Sequence, residues 1–343
     1  AFAFLIPILC YGEYYSSARY VIRLLLKRGL LYEGKEILVK YFDAHCDVLY
    51  KMFVDNKITF SSDALHVTYE GLRKSGAKVQ CFAIYIPEEV HPAMRFDAAL
   101  AMVELFYERV LSYPKMKLIT NQEQLKALAD DEIGAILTLE GCEPIGEDLV
   151  KLKTLLRLGV TSVGLTWNNA NAVADGAKEP RGGGLTNFGR AVVHLLNEQN
   201  VWVDVSHLSE ASFWDVIEIA KHPIASHSNA YSLCLHPRNL NDEQLKALFQ
   251  KDGVVGVTFV PYFLNKDGDA HITDVLRHLE YICSLGGEKH VGFGSDFDGI
   301  EQTVKNLSSS NHYYNLIDEL YKRYRSEQVD DFLYHNFASR YPR

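Results

Sequence analysis

Five short segments place acids and imidazoles where apolar runs end. They read Asp43-Ala44-His45-Cys46-Asp47, Leu139-Glu140-Gly141, Val205-Ser206-His207, Ala225-Ser226-His227 and Gly294-Ser295-Asp296-Phe297-Asp298. On an extended segment, residues two apart point the same way. His45 and Asp47 therefore share a face and can take two corners of one metal ion. Three histidines and at least two carboxylates converge on this reading. Imidazole with carboxylate suits zinc, whereas magnesium asks for oxygen throughout. A carboxylate can bridge two ions about 3.5–4 Å apart, and Glu140 is placed for that. Ions so bridged acidify a shared water and polarise a carbonyl, which hydrolyses an amide without a covalent nucleophile. Cys46, between His45 and Asp47, is expected to face the packing instead. Asp296 and Asp298 share a face, and spacing does not choose between them. Asp204 is open between partnering a ligand histidine and a structural role. The other ten of the 13 histidines are expected to be surface or structural.

The elements that carry these residues alternate. Strands are expected at Tyr41–Cys46, Val79–Ile86, Ala135–Glu140, Ser162–Trp167, Val201–His207, Pro223–Ser228, Val254–Val260 and His290–Asp296. Between them, apolar residues recur at helical spacing over Phe96–Leu111, Asp148–Leu158, Phe188–Gln199, Glu210–Ala220, Glu243–Phe249 and Thr273–Leu285. Ser209 and Asn241 stand as N-caps, and Gly159 and Gly286 follow helices. Eight largely apolar strands separated by helices imply a parallel sheet closed as a (β/α)8 TIM-like barrel. Every candidate residue then lies at a strand's C-terminal end, the face on which such barrels keep their sites. An open doubly wound sheet is the alternative, but no GxGxxG follows the first strand, and RGGGL at 181–185 reads as a surface turn. Two helical stretches in the tail, Tyr313–Tyr324 and Gln328–Ser339, are expected to pack outside the barrel.

With 343 residues, 48% hydrophobic, the chain can bury a large core. A net charge of −9 disfavours nucleic acid, whose phosphates it would repel. Six cysteines without a CxxC pair speak against a disulfide framework or thiolate zinc site and fit a reducing compartment. Residues 1–42 carry six Lys and Arg against three Glu, a net of +3 that leaves −12 for the rest. That break marks residues 1–38 as an N-terminal extension, non-native or peripheral, ahead of one metallohydrolase domain at 39–343. Residues 1–11 are apolar but too few to span a bilayer, and an amphipathic helix around Ala18–Lys27 is an alternative reading.

FDAHCD at 42–47, LEG at 139–141, VDVSHLS at 203–209, ASHSNAYSLCLHPRNL at 225–240 and VGFGSDFDG at 291–299 together resemble the membrane (renal) dipeptidase family of zinc peptidases. The likeness runs in order from Tyr41 to Tyr341. It implies a distorted (β/α)8 barrel with two zinc ions that cleaves dipeptides and tolerates a D-residue on the C-terminal side. Carried onto this chain, it implies that His45 and Asp47 hold one zinc, that His207 and His227 hold the other, and that Glu140 bridges them. Asp296 would be the acid/base and Arg238 would hold the substrate carboxylate. Where the animal enzymes have a histidine that steadies the tetrahedral intermediate, this chain has Trp167, followed by Asn168 and Asn169. An asparagine side chain or the metals must take that load, or activity on standard dipeptides differs. The animal enzymes are glycolipid-anchored, while this sequence ends in HNFASRYPR, so a cytoplasmic, bacterial-type member is expected.

The expected function is thus a binuclear zinc dipeptidase acting through a metal-bridging hydroxide. Its partners would be small dipeptides, with no nucleic acid and no stable membrane association, the chain acting alone or as a homodimer. The alternatives are another amidohydrolase-type enzyme, for N-acyl amino acids, lactones or phosphoesters, and a catalytically silent barrel. Many such amidohydrolases bridge their metals with a carbamylated lysine. Here Glu140, not a lysine, ends the matching strand, which favours the dipeptidase.

Overall fold

The computed structural model describes residues 31–32, 35–36 and 39–342. The chain divides into two compact units, Ala1–Val39 and Lys40–Arg343. In the first, Leu31–Tyr32 pairs antiparallel with Lys35–Glu36. The expected apolar stretch 1–11 and the helix around Ala18–Lys27 lie outside the described residues.

In the second unit, apolar runs form parallel strands β1 (Tyr41–Asp43), β2 (Ala77–Tyr85), β3 (Ile133–Glu140), β4 (Val160–Gly164), β5 (Trp202–Asp204), β6 (Pro223–Ile224), β7 (Val255–Val257) and β8 (Val291–Phe293). Spatial order follows chain order, and β8 pairs with β1. Ala225, just past β6, bridges to Val255 in β7 and completes the ring. The expected (β/α)8 barrel is therefore what forms. A short strand not expected from sequence, Met116–Leu118, pairs with the start of β3.

Helices Arg95–Leu105, Leu149–Arg157, Asn187–Glu198, Glu210–Ile219, Asp242–Gln250 and Ile272–Ile282 match the periodic segments. Ser209 caps its helix by accepting from the Ser212 N–H at 3.1 Å, and Asn241 forms a reciprocal capping box with Gln244. Sequence periodicity missed the short helices Val48–Val54, Tyr69–Ser75 and Gln122–Ala127, each under two full turns.

Several strands stop earlier than their apolar runs, and buried aspartates are the reason. Asp204 Oδ1 accepts the backbone N–H groups of Ser206 and Ser226, each at 2.9 Å. Asp43 Oδ1 accepts those of His45 at 3.3 Å and Ser295 at 2.8 Å. A side chain thus takes over donors that a longer ladder would have paired.

The tail departs from expectation. Helix Tyr313–Tyr321 does lie outside, its Tyr313 ring stacked on Tyr41 at 3.9 Å. The last stretch instead closes the N-terminal mouth of the barrel. Phe42 of β1 and Trp202 of β5 come from opposite sides of the ring, so the 6.3 Å between their ring centroids places both inside it. Phe337 stacks on Phe42 at 5.3 Å, and Tyr341 meets Trp202 edge-on at 5.1 Å. With Val79, Cys81, Ile136, Ile224 and Val254 they form one buried cluster. An open barrel end lined by Phe42 and Trp202 would expose large apolar area, and the tail's aromatic residues cover it. Among the described residues, no helix is long and apolar enough to cross a membrane.

Tyr341 is buried, and its hydroxyl bonds Thr161 Oγ1 at 2.7 Å and the Ile119 carbonyl at 2.9 Å. Tyr341→Ala is expected to lower unfolding free energy by about 3–5 kcal/mol, the range for emptying a buried aromatic site. Tyr314→Ala, at a surface position, is expected to stay within about 0.5 kcal/mol. Urea unfolding followed by circular dichroism checks both.

Candidate metal centre

The barrel interior changes character toward the C-terminal ends of the strands. Along β3, Ile136 belongs to the apolar floor, Thr138 sits above it and Glu140 reaches the mouth, because alternate residues share a face. Glu140 meets imidazoles from three other strand ends. Its Oε1 lies 2.9 Å from His207 Nε2 and 3.7 Å from His227 Nε2, and its Oε2 lies 3.5 Å from His45 Nε2. His45 Nε2 is also 3.3 Å from Asp47 and 3.8 Å from Asp296. Two donor triads result, His45–Glu140–His227 and His45–Asp47–Asp296, each with its ligand atoms within 4.8 Å of one another. His45, Asp47, Glu140, His207, His227 and Asp296 converge here, and Asp298 does not. Its carboxylate turns away to accept the backbone N–H groups of His66 at 2.7 Å and Val67 at 3.0 Å. Cys46 is fully buried in the packing.

Backbone geometry aims these groups. Asp296 donates its N–H to the His45 carbonyl at 3.2 Å, and Asp47 donates to Phe297 at 2.9 Å, so the ends of β1 and β8 are laced together. Asp296 and His207 have left-handed φ of 63° and 70°, conformations that cost roughly 1–3 kcal/mol and cluster at functional sites. A Cβ at position 299 would displace the carboxylates of Asp47 and Asp296, so the glycine there leaves them room.

The histidines are oriented from behind. Ser226 Oγ gives its proton to Asp204 Oδ2, so at 2.7 Å from His227 Nδ1 it accepts the imidazole N–H. His227 Nε2 then presents a lone pair. His207 Nδ1 donates to Asn168 Oδ1 at 3.0 Å, with the same consequence. Asp204, left open by sequence, is thus both the strand-end acceptor and the end of a relay to a site histidine. Ser226 was missed, although a serine directly before each of His207 and His227 was the signal.

Two Nε2 lone pairs now face each other at 2.8 Å beside a carboxylate oxygen. Among the described residues, buried His45 Nε2 and Asp47 Oδ1 find no hydrogen-bond partner. Burial and the neighbouring Glu140 push the Asp47 carboxyl well up, and the same two causes raise Asp296. Burial would lower His45, but Glu140 and Asp47 carry it well above the usual imidazole range. Burial and Arg238 lower His207 to about 3. Burial, then His45 and Arg238, drive His227 well below its usual value. Two neutral imidazoles, His207 and His227, with His45 and the acids Asp47, Glu140 and Asp296 around the same space, are a donor set that divalent cations complete, so these residues fit a metal.

A cavity of about 310 Å³ opens above the cluster. Trp167, Asn168 and Arg238 line it with Asp47, Glu140, His207 and Asp296. Arg238 is buried and, among the described residues, has no carboxylate partner. Its Nη2 donates to the His227 carbonyl at 3.4 Å, its Nε has no partner among the described residues, and its Cζ lies 5.6 Å from the centre of the Phe263 ring. Burial lowers it to about 10, with Asp296 and Glu140 opposing, so it stays charged at neutral pH. Tyr50 and Tyr85 also line the cavity, which no motif in the sequence had indicated.

The family model for membrane dipeptidases (Peptidase family M19) matches residues 35–339. Dipeptidase aclJ of Aspergillus oryzae is 32% identical over 284 residues, 78% of this chain, which spans 66% of the fungal protein's length. The fold resembles that of the crystal structure of dipeptidase AC, a family M19 metallopeptidase, at TM-score 0.83 and 26% identity, covering 88% of this chain and 98% of that one. A metallopeptidase from Rhodobacter sphaeroides, solved with a phosphinate mimic of the dipeptide L-Ala-D-Ala, matches at TM-score 0.82 and 26% identity with the same coverage of 88% and 98%.

Glu140 touches all three imidazoles, so Glu140→Gln is expected to remove at least half of the bound metal per chain. Asp298→Asn, whose carboxylate faces the His66–Val67 backbone, is expected to leave metal content unchanged. Atomic emission on dialysed protein distinguishes the two.

Proposed function

The chain belongs to the membrane dipeptidase family, peptidase family M19, and on that premise we propose that it is a dipeptidase dependent on two zinc ions. The observation that carries the reading is the convergence of three imidazoles and three carboxylates, with a carboxylate-free arginine, around one small cavity. His45 and Asp47 would hold one ion and His207 and His227 the other, with Glu140 between them. When bound, such a pair supplies Lewis acidity toward the scissile carbonyl and acidifies water at neutral pH.

The remaining steps belong to side chains. The Asp296 carboxylate is 15% exposed against 5% for Asp47, so it is the acid of this pair more open to substrate. It takes the proton of the attacking water and returns it to the leaving amine. Arg238 grips the substrate's free carboxylate through its planar fork. A cavity of about 310 Å³ lies at the small end of ligand pockets, and Arg238 at its wall fixes where the peptide must end, which excludes longer substrates. With Trp167 at the position of the family histidine, Asn168 lines the same wall, its Oδ1 engaged by His207. A D-residue at the C-terminal position is expected to be accepted, as the Rhodobacter relative's ligand suggests.

The test is hydrolysis of L-Ala-D-Ala against L-Ala-L-Ala, N-acetyl-D-Ala and a phosphotriester with added zinc. Cleavage of the dipeptides supports the proposal. Cleavage of N-acetyl-D-Ala or the phosphotriester alone replaces it with the broader amidohydrolase reading.

Asp296→Asn should retain its metal yet lose about 10²–10⁴-fold in kcat, the usual worth of positioned proton transfer. Steady-state kinetics paired with metal analysis tests this. Arg238→Lys should lose on the order of 10- to 100-fold in kcat/KM on free dipeptides, equivalent to a charged hydrogen bond of roughly 1.5–3 kcal/mol. C-terminally amidated dipeptides should be nearly indifferent to the change. Equal losses on both substrate types would remove the carboxylate role.

A further inference from the structure

The strand order of the barrel assigns opposite walls of the cavity to opposite ends of a substrate. Arg238 follows β6, and β2 stands across the ring from β6. Tyr85 ends β2, Tyr50 lies on the helix after β1, and Trp167 follows β4. These three rings form one continuous wall. Tyr50 meets Tyr85 at 5.4 Å and 78°, and Tyr85 meets Trp167 at 5.3 Å and 53°. All three are half-buried and line the cavity, so the wall offers ring surface to whatever enters.

Resting on the dipeptidase reading, the placement is direct. A dipeptide with its carboxylate on Arg238 and its scissile carbonyl over Glu140 and the histidines extends its N-terminal residue toward the β2 side. We propose that this residue carries a large uncharged side chain, aromatic or branched aliphatic, packed against Tyr50, Tyr85 and Trp167. Apolar contact with three rings favours such a side chain by area, and ring-on-ring geometry adds to it for aromatics. The charges nearby select against the alternatives. Lys178 borders the same cavity and repels a basic side chain, and any charged group packed on ring faces gives up hydration that an apolar one does not. Trp167, which stands where the animal enzymes have a histidine, becomes a specificity-determining residue of this chain.

The experiment measures kcat/KM of the zinc-loaded full chain on Xaa-D-Ala dipeptides with Xaa as Gly, Ala, Leu, Phe, Glu or Lys. Leu and Phe are expected to exceed Gly by about 10-fold or more, since one methylene in an apolar pocket already shifts discrimination by about 10–200-fold. Trp167→Ala should compress the Phe-to-Gly ratio by about 10-fold, and Trp167→Phe should restore most of it, with metal content confirming an intact centre. A phosphinate mimic of Phe-D-Ala should inhibit the wild-type enzyme more tightly than the Gly-D-Ala mimic by a similar factor. A flat series, a preference for Gly, Glu or Lys, or an unchanged ratio in metal-loaded Trp167→Ala overturns this inference while leaving the dipeptidase reading intact. Failure of the metal-loaded wild type to cleave any dipeptide removes both.

Discussion

The contact on which the mouth of this barrel depends is between the Glu140 carboxylate and three imidazoles, at 2.9 to 3.7 Å. Those imidazoles arrive from β1, β5 and β6, and a sheet brings its first and fifth strands within reach of one carboxylate only by closing on itself. Closure in turn creates an interior that must be filled. The lower interior is apolar and is stoppered by Phe337 and Tyr341, and the upper interior is polar and hydrogen-bonded. The centre therefore sits on a packed floor, and water reaches it from the cavity side, where a substrate must also enter.

Holding six ionisable groups in that space asks for compensation nearby. The ladder is given up at the strand ends, and Asp43 and Asp204 take the donors left over. The same Asp204 fixes Ser226 and through it the tautomer of His227, so one buried acid serves both barrel and site. The left-handed backbone at His207 and Asp296 adds local strain. The aromatic floor beneath, with Trp202, Phe42 and Tyr341 each buried, supplies stabilisation of the order needed to offset it.

Much of this was legible in the sequence because barrel strands are buried on both faces and announce themselves as apolar runs. A polar residue ending such a run is then conspicuous, which is how His45, Glu140, His207 and His227 stood out. The choice between Asp296 and Asp298 was not legible, for a definite reason. The rule that residues two apart share a face holds for extended backbone, and both residues have left-handed φ, 63° and 71°. The alternation breaks there, and the two carboxylates part. The tail misled because helical periodicity reports one apolar face but not what covers it. Phe337 and Tyr341 could as well have faced the outer helices as the barrel's open end. Tyr50 and Tyr85 carried no signal because aromatic residues at element ends are ordinary core material until a cavity is seen beside them.

Arg238 links the two halves of the site electrostatically. Three carboxylates, Asp47, Glu140 and Asp296, against one guanidinium leave two negative charges at the mouth when all four are ionised and the three imidazoles are neutral. That imbalance suits cations and opposes a substrate carboxylate approaching without help. On the proposed reading, Arg238 offsets that opposition locally. After burial, which is the larger cause, it helps to lower both His207 and His227 and so favours their neutral imidazoles. The carboxylates meanwhile support its own charge against burial. Its position is set by the segment Asn229 to Leu240, which is pinned at its start and near its end. Ala230 donates to buried His278 Nδ1 at 3.0 Å, and Asn239 Nδ2 donates to the Phe263 carbonyl at 2.9 Å. His278 in turn donates to the Leu264 carbonyl at 2.9 Å, in the same short helix as Phe263, whose ring faces the guanidinium. Arg238 and the acid–imidazole cluster are thereby held in one register by neutral hydrogen bonds, two buried and one partly buried, whose strength does not vary with salt as surface ion pairs do.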